Sequence, residues 1–318
     1  MRVVVTGGAG FIGAHVCRHL AAQPYTEKVI ALDDLSTGSA ANLVDSGAAL
    51  VEGSILDRPL LRELVAEADA VIHLAARPSV PRSLADPAAT HEINATGTLN
   101  VLEACRARAG HLVVASSSSV YGSAAELPKH EELAAKPLSP YAASKLATEA
   151  YALAYGAAFG LPVQVFRFFN VYGPLQPADH AYAAVVPAFI TAALHDRPLT
   201  IYGDGTQTRD FTYVGTVAQV LAETVASGVT SSTPVNLAFG SRVSLLDLVE
   251  RLSFILERPL AVEHRPSRAG DVRDSQASND RLRRLFPAVR PVELDEGLRA
   301  TVQWLSRVES ASSSRSMQ

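Results

Sequence analysis

A tyrosine and a lysine lie four residues apart in the segment SPYAASKLATEA, residues 139–150. Ser139 and Pro140 predict the start of a helix, because serine caps helix N-termini and proline suits the first helical position. Tyr141 and Lys145 then share one face of that helix. A free phenol, with a pKa of about 10, is a poor base at neutral pH, and a neighbouring ammonium favours the phenolate. The pair is either a candidate general base with its cation or a chance pair on a helix surface.

Three glycines follow the first predicted strand. Gly7 permits a tight turn, Gly10 lets the backbone approach a diphosphate at the helix N-terminus, and Gly13 allows close packing of helix and strand. Asp33 ends the second strand about twenty residues later, where a carboxylate accepts hydrogen bonds from ribose hydroxyls and repels a 2′-phosphate. The pattern predicts an NAD site rather than an NADP site. The alternative is a glycine turn with a solvated aspartate.

Strands and helices alternate through the first half of the chain. Helical patterns such as 91–108 separate short runs that are continuously apolar, as in parallel strands buried on both faces. This alternation predicts an α/β fold with a doubly wound parallel (Rossmann) sheet. The predicted strands are 2–7, 28–33, 48–53, 70–76, 111–117 and 162–168.

The pattern loosens after about residue 171. We expect residues 1–170 to form a dinucleotide-binding domain, with the helix 213–227 packing back on it. Residues 171–308 would form a smaller substrate domain over the carboxyl edge of the sheet, and 309–318 a disordered tail. The other elements predicted in this half are helices near 182–195 and 244–256 and strands at 199–203 and 234–239.

Composition argues against several classes of protein. The net charge of −4 gives no electrostatic reason to expect a nucleic-acid or anionic-membrane partner. Cys17 and Cys105 lie in apolar helical patterns and predict small core residues, and the histidines lack metal-ligand spacing. No apolar stretch of about 18 residues predicts a membrane span, and the N-terminus lacks the pattern of a secretory signal. We expect a cytoplasmic protein without a metal site.

Six motifs, including the glycine turn and the tyrosine–lysine pair, occur in a fixed order along the chain. They are TGGAGFIG (6–13), HLAA (73–76), SSSSVYG (116–122), YAASK (141–145), RFFNVYGP (167–174) and TRDFTYV (208–214). Together they resemble the extended short-chain dehydrogenase/reductase family, and within it the nucleotide-sugar epimerases that act on UDP-glucose and UDP-N-acetylglucosamine. The resemblance runs from residue 1 to about residue 305 and implies an NAD-dependent 4-epimerase and a UDP-sugar substrate.

The resemblance also assigns catalytic roles. Tyr141 removes the proton from the sugar 4-hydroxyl, Lys145 supports the phenolate and reaches the nicotinamide ribose, and Ser117 bridges the sugar O4 and the tyrosine. Ser116 and Ser118 are the neighbouring choices for that serine. In the implied reaction a hydride moves from C4 to NAD, the 4-keto sugar turns over, and the hydride returns to its opposite face. NAD is regenerated and is expected to stay tightly bound.

The remaining site residues follow from matching the family's motifs. In the substrate site, Arg209 and Arg268 clamp phosphates, Asn170 contacts the diphosphate region, Tyr202 packs on uracil and Asp271 contacts the uridine ribose. The implied substrate site also contains Ser117, Ser118, Val185 and Ser275. Ser54 replaces the family's usual aspartate, so we expect weaker recognition of adenine. The implied cofactor site comprises Gly7, Gly10, Phe11, Ile12, Gly13, Asp33, Ser54, Ile55, Leu74, Ala75, Ala76, Asn94, Tyr141 and Lys145.

A few positions separate neighbouring reactions of the family. Ser118 and Ser119 stand where dehydratases carry an acidic pair, and the decarboxylases carry a glutamate just before VYG, so both reactions are disfavoured. Pro177 replaces an arginine of uronate epimerases and disfavours a uronate, unless an arginine from elsewhere reaches in. Ser275 stands at a gate where a small residue admits an N-acetyl group, and the segment 181–190 resembles N-acetylhexosamine epimerases.

Alternatives therefore stay open at this level. They are a UDP-glucuronate 4-epimerase, another nucleotide-sugar oxidoreductase or dehydratase, a TDP-linked sugar as substrate, and a non-catalytic NAD-binding regulator on the same fold. Members of the family often dimerise through the helix that carries the tyrosine. Because the face of 142–158 is rich in alanine, we also expect a homodimer.

Overall fold

The computed structural model describes residues 1–108, 110–178, 183–266 and 273–315. Its strands are β1 (Arg2–Thr6), β2 (Lys28–Asp33), β3 (Ala49–Glu52), β4 (Ala70–His73), β5 (His111–Ser117), β6 (Val163–Phe168), β7 (Asn170–Tyr172), β8 (Leu199–Tyr202), β9 (Thr208–Arg209), β10 (Phe211–Tyr213), β11 (Val235–Leu237), β12 (Val243–Ser244) and β13 (Val262–Arg265). Its α-helices are α1 (Phe11–Ala21), α2 (Arg58–Ala66), α3 (Val80–Ala85), α4 (Pro87–His91), α5 (Gly97–Arg108), α6 (Pro140–Phe159), α7 (Val185–Leu194), α8 (Val214–Ser227), α9 (Leu245–Ile255), α10 (Asp280–Leu285) and α11 (Leu294–Arg315).

Seven parallel strands form the central sheet in the order β11-β6-β5-β4-β1-β2-β3. The predicted doubly wound sheet is therefore confirmed. The six strands predicted for it from continuous apolar runs are β1 to β6, and β11 extends it. The strand order reverses between β1 and β4, and in open sheets of this kind ligands bind at such a switch point, beyond the carboxyl ends of the strands.

Local sequence sets the ends of the helices around the sheet. The Ser139 hydroxyl accepts a hydrogen bond from the Ala142 amide at 3.2 Å, so the predicted N-cap of α6 is present. Gly160 ends α6 in the left-handed conformation, with φ of 67°. The predicted helix 91–108 is divided: a π-helical turn at Glu92–Thr96 links α4 to α5. Such turns widen a helix locally and are frequent at functional sites.

Helix α8 packs against the first half of the chain. Its buried Val217, Ala218 and Leu221 share an apolar core with Ala14 and Val16 of α1. Burial of this apolar face, rather than helix propensity alone, fixes α8 beside the sheet.

A separate apolar core joins α7, α9 and α11 to the two-stranded parallel sheet β8–β13. The last helix runs to Arg315 and so enters the segment 309–318, for which the sequence predicts disorder. Extending a formed helix by one residue adds one backbone hydrogen bond, and the Ser310 hydroxyl donates to the Ser306 carbonyl at 2.8 Å. Packing of Leu298, Val302 and Leu305 anchors the helix upstream.

Candidate active site

Ser117, Tyr141 and Lys145 line one cavity of about 810 Å³. Ser117 ends β5, while Tyr141 and Lys145 lie in the first two turns of α6. The Lys145 ammonium is buried and donates to the Ala115 carbonyl at 2.7 Å. The pattern that singled out the tyrosine and the lysine thus corresponds to a real juxtaposition with a serine that lies more than twenty residues earlier.

The cavity shifts the pKa of both titratable groups. Desolvation raises the pKa of Tyr141, and a hydrogen bond from Ser117 lowers that pKa in part. Burial lowers the pKa of Lys145 to about 8. Within this cavity the phenol is therefore a weaker acid than in water. A further positive charge beside it would favour the phenolate that a general base requires.

A second hydroxyl orients Ser117. Its Oγ donates to Ser119 Oγ at 3.0 Å and accepts from the Ser119 amide at 3.1 Å. Ser118 begins the 3₁₀ turn Ser118–Tyr121 and does not line the cavity.

The glycine turn lies at the other part of the same cavity. Gly7 has φ of 70°, and a Cβ there would lie 2.8 Å from the Ala75 amide nitrogen. A Cβ on Gly13 would lie 2.1 Å from the Gly7 carbonyl oxygen, so Gly13 packs on the turn itself rather than on a strand as predicted. Gly10 is the N-cap of α1, and no side chain among the described residues caps that helix. The first amides of α1 are therefore available to donate to a diphosphate.

Asp33 has a structural task that the sequence does not reveal. The buried carboxylate accepts the Ala9 amide and the Leu35 amide, each at 2.9 Å, and so braces the glycine turn. Burial raises its pKa, although these bonds oppose that shift. Asp33 and Asp34 also line the cavity, where two carboxyl groups disfavour a 2′-phosphate.

Most predicted cofactor residues lie on this wall, and two do not. Ser54 Oγ accepts the Leu56 amide at 3.2 Å and Asn94 is buried, and neither lines the cavity. The predicted residues on the wall are Gly7, Gly10, Phe11, Ile12, Gly13, Asp33, Ile55, Leu74, Ala75, Ala76, Tyr141 and Lys145.

A chain of buried hydrogen bonds reaches Asn94. The Thr6 hydroxyl lies 2.8 Å from His73 Nδ1, and His73 Nε2 lies 3.0 Å from the Thr98 hydroxyl. The Thr98 hydroxyl donates to the Asn94 carbonyl, so the bonds require His73 to carry its proton on Nε2. Burial lowers the pKa of His73 to about 3, which keeps the ring neutral. Asn94 Nδ2 then donates to Ser144 Oγ at 2.9 Å, one turn from the tyrosine.

A second cavity, of about 550 Å³, lies in the smaller core. Val185, Tyr202 and Arg209, which the sequence analysis places in the substrate site, all line this cavity. Sequence reasoning missed Arg197 and Arg265 on the same wall, because nothing in the local pattern distinguishes them from surface arginines. Guanidinium groups suit a diphosphate, since their fork matches phosphate oxygens.

The other predicted substrate residues lie elsewhere. Asn170 Nδ2 donates to the Asp210 carbonyl at 3.2 Å, and the Ser275 amide donates to the Thr208 carbonyl at 3.1 Å. Neither residue lines either of the two cavities described above. Arg268 and Asp271 lie outside the described residues.

Asp210 is a structural residue that sequence reasoning missed. Its buried carboxylate accepts the amides of Gly240, Ser241 and Ala277, at 3.1, 3.1 and 3.0 Å. Asp210 therefore joins the segment around Ala277 to the start of β10, the strand that pairs with β7. The TRDF motif contained the signal, since an aspartate directly before an apolar strand residue has to be satisfied by donors when it is buried.

Comparisons with known proteins decide the family. The family model for the NAD dependent epimerase/dehydratase family matches residues 3–238. The chain belongs to the NAD-dependent epimerase/dehydratase family. NAD is accordingly its cofactor, and the glycine turn, the uncapped N-terminus of α1 and Asp33 are the features of the family's cavity that would hold it.

Three similar proteins illustrate the family's range. A UDP-glucose 4-epimerase of Mycolicibacterium smegmatis is 37% identical over 96% of this chain and 98% of that protein. A probable UDP-glucuronate 4-epimerase of Rhizobium meliloti is 32% identical over 96% of each. A solved UDP-N-acetylglucosamine 4-epimerase of Methanobrevibacter ruminantium, in complex with UDP-N-acetylmuramic acid, is 35% identical over 96% of this chain and 98% of that one, with a TM-score of 0.91.

Two further findings bear on the expected absences. The described residues contain no group of three or more histidine, cysteine, aspartate or glutamate side chains placed to hold a metal ion, and no described helix is long and apolar enough to cross a membrane. Cys17 and Cys105 are buried, and burial raises the pKa of each thiol to about 12, so both act as small core residues.

Replacing Gly13 with alanine tests the cofactor turn. The added Cβ would meet backbone oxygen at 2.1 Å, so we expect NAD affinity to fall at least about tenfold in calorimetric titration. Gly156→Ala is the control, because its Cβ would lie 3.5 Å from the Leu161 carbonyl oxygen within α6. That change should leave NAD affinity unaltered and raise stability by up to about 1 kcal/mol. Equal NAD affinity in both variants would contradict the assignment of the turn.

Glu149→Gln tests the buried ion pair that joins α6 to the sheet. Arg167 would keep a buried charge without its counter-ion, so the free energy of unfolding should fall by about 3–5 kcal/mol in urea denaturation. Glu67→Gln is the matched control, because the Glu67–Arg2 pair is exposed and such pairs contribute about 1 kcal/mol or less. Similar decreases in the free energy of unfolding for the two variants would show that the buried pair stabilises the fold no more than an exposed pair does.

Proposed function

We propose that the chain is an NAD-dependent UDP-sugar 4-epimerase. The observation that carries this proposal is the convergence of Ser117, Tyr141 and Lys145 on one cavity whose other part has the glycine turn of a dinucleotide site. NAD, when bound, supplies the reversible acceptor for the hydrogen at C4 of the sugar.

The chain's own residues then handle the proton. Tyr141 takes the proton of the 4-hydroxyl as the C4 hydrogen leaves and gives it back when the hydrogen returns to the other face. The Ser119 amide holds Ser117 Oγ in place, and the Ser117 hydroxyl would turn its one proton from Ser119 Oγ to the reacting oxygen and accept from the phenol. Lys145 is charged below its pKa of about 8, and its ammonium favours the phenolate over the phenol.

Serines at two positions favour epimerisation over elimination or decarboxylation. Ser118 and Ser119 occupy the turn that follows Ser117, and neither can serve as the carboxylic acid that removal of water across C5 and C6 would need. We therefore rank a 4,6-dehydratase and a decarboxylase below the epimerase. A UDP-glucuronate 4-epimerase is the second candidate, supported by the Rhizobium meliloti relative.

We infer that the second cavity binds the uridine diphosphate. Arg197, Arg209 and Arg265 line it, and Tyr202 provides an aromatic face. An epimerase has to hold the diphosphate while the hexose turns, and two cavities with separate tasks meet this need. We propose Arg268 and Asp271 as further nucleotide contacts and Ser275 as the residue that admits an N-acetyl group.

A homodimer through α5 and α6 completes the proposal. Tyr151 and Phe159 are exposed on α6, and the Arg106 guanidinium of α5 stacks on the Phe159 ring with its Cζ 4.9 Å from the ring centroid. Exposed aromatic groups on α6, with an arginine of the adjacent α5 stacked on one of them, suit a helix-bundle interface with a second copy.

Turnover without added NAD is the direct test. The purified protein is incubated separately with UDP-glucose, UDP-galactose, UDP-N-acetylglucosamine, UDP-N-acetylgalactosamine and UDP-glucuronate, and products are resolved by anion exchange and NMR. We expect C4 epimers without net NADH. Tyr141→Phe should bind NAD and lose about 10²–10⁴ in kcat, because the base is gone. Tyr151→Phe, on the exposed face of the same helix, is the control and should stay close to wild type.

A tyrosine at position 275 tests the sugar preference. Ser275→Tyr should lower kcat/KM for the N-acetylated sugars much more than for UDP-glucose, because the ring would occupy the volume of the N-acetyl group. Competition between paired substrates in one reaction measures the ratio. Equal loss on both sugars would remove Ser275 as the gate.

A further inference from the structure

Two arginines line the cavity that holds Ser117 and Tyr141. Arg77 and Arg82 lie in the segment after β4 and belong to none of the motifs that identify the family. Asp33 and Asp34 lie at the end of the cavity near the glycine turn. Apart from these two aspartates, the charged residues in the described lining are three cations, Arg77, Arg82 and Lys145, and one acid, Glu92. The cavity therefore has a net positive charge away from its aspartate end.

Hydrogen bonds fix Arg77 near the reacting residues. The Arg77 amide donates to Asn94 Oδ1 at 2.7 Å, and Asn94 Nδ2 donates to the Arg77 carbonyl at 3.2 Å. Asn94 Nδ2 also reaches Ser144 Oγ, which donates to the Tyr141 carbonyl at 2.8 Å. The backbone of Arg77 is thus clamped to the turn of α6 that carries the tyrosine, and its position does not depend on its own guanidinium.

The guanidinium of Arg77 is only loosely paired. Its NH1 lies 3.5 Å from Asp86 Oδ2, longer than the 2.7–2.9 Å of a strong charge-assisted bond. Asp86 already caps α4, since its Oδ1 accepts the Ala89 amide at 3.0 Å, and 47% of its side chain is exposed. An anion in the cavity would compete readily for this guanidinium.

The other anions expected in the two cavities have partners of their own. The glycine turn and α1 face the cofactor diphosphate, and Arg197 and Arg265 line the cavity assigned to the nucleotide diphosphate. The group left to meet Arg77, beside Tyr141, is the hexose. We propose that Arg77 binds a carboxylate on the hexose and selects nucleotide sugars that carry one. This inference rests on the proposed function, and it supplies from β4 the arginine that is missing at Pro177.

Matched substrate pairs test the proposal on the intact enzyme. UDP-glucuronate is compared with UDP-glucose, and UDP-N-acetylmuramate with UDP-N-acetylglucosamine, since one member of each pair carries a carboxylate, at C6 in glucuronate and on the 3-O-lactyl group in N-acetylmuramate. For each pair the ratio of kcat/KM, charged member over neutral member, is measured in wild type, Arg77→Gln and Arg77→Lys. Dissociation constants of the sugars and of NAD are measured alongside. Arg62→Gln on the exposed face of α2 controls for net charge.

We expect the ratio to fall about tenfold or more in Arg77→Gln for at least one pair, mainly through KM, with partial recovery in Arg77→Lys. An unchanged ratio in both pairs would overturn the proposal. The proposal would also be overturned if the wild-type enzyme epimerised only the neutral member of each pair. It would be overturned too if Arg77→Gln weakened NAD binding as much as it lowered the ratio, because Arg77 would then belong to the cofactor site. The proposed function survives each of these outcomes. Failure to epimerise any sugar overturns the function and the inference together.

Discussion

The ion pair between Glu149 and Arg167 holds helix α6 against the ends of strands β5 and β6. Both side chains are 5% exposed, and two guanidinium nitrogens donate to the two carboxylate oxygens at 2.6 and 3.0 Å. Ser116 Oγ donates to the same carboxylate at 2.9 Å, and the guanidinium stacks on Tyr121 with its Cζ 4.7 Å from the ring centroid. Burying two charges costs several kcal/mol, which only such complete pairing offsets. Because Ser117 follows Ser116, the pair also sets the distance between the strand end and the helix.

The opposite side of α6 is held by a different device. The π-helical turn before α5 places Asn94 where its amide reaches Ser144 of α6 and the backbone of Arg77. Its carbonyl accepts the hydroxyls of Thr98 and Thr148. Helix α6 is therefore fixed from the sheet by a charge pair and from the neighbouring helix by neutral hydrogen bonds. Such bracing by residues that do not touch the reactants keeps a catalytic group in one geometry.

Sequence reasoning succeeded where a local pattern has a direct structural cause. Continuous apolar runs located the buried strands, and Ser139 with Pro140 located the start of α6. It did not reveal contacts whose partner lies far along the chain. Asn94 contacts the backbone of residue 77 and the side chain of Ser144, and Ser54 accepts the Leu56 amide within its own turn, while the assignment of both residues to the cofactor site stays a prediction. No spacing rule could place Arg265 beside Tyr202, because parallel pairing of β13 with β8 decides that.

The proposed division of labour between the two cavities would let members of one family differ in substrate. In the proposed reaction Ser117, Tyr141 and Lys145 act on the C4 carbon and its hydroxyl, which every hexose substrate presents, so they would select no particular sugar. A diphosphate held by arginines in the smaller core, as proposed, would likewise select a nucleotide without selecting a sugar. Selection is left to residues near the hexose that neither bind phosphate nor move the proton. Single changes there alter specificity without disturbing the braces on α6, which is how one fold can serve several nucleotide sugars.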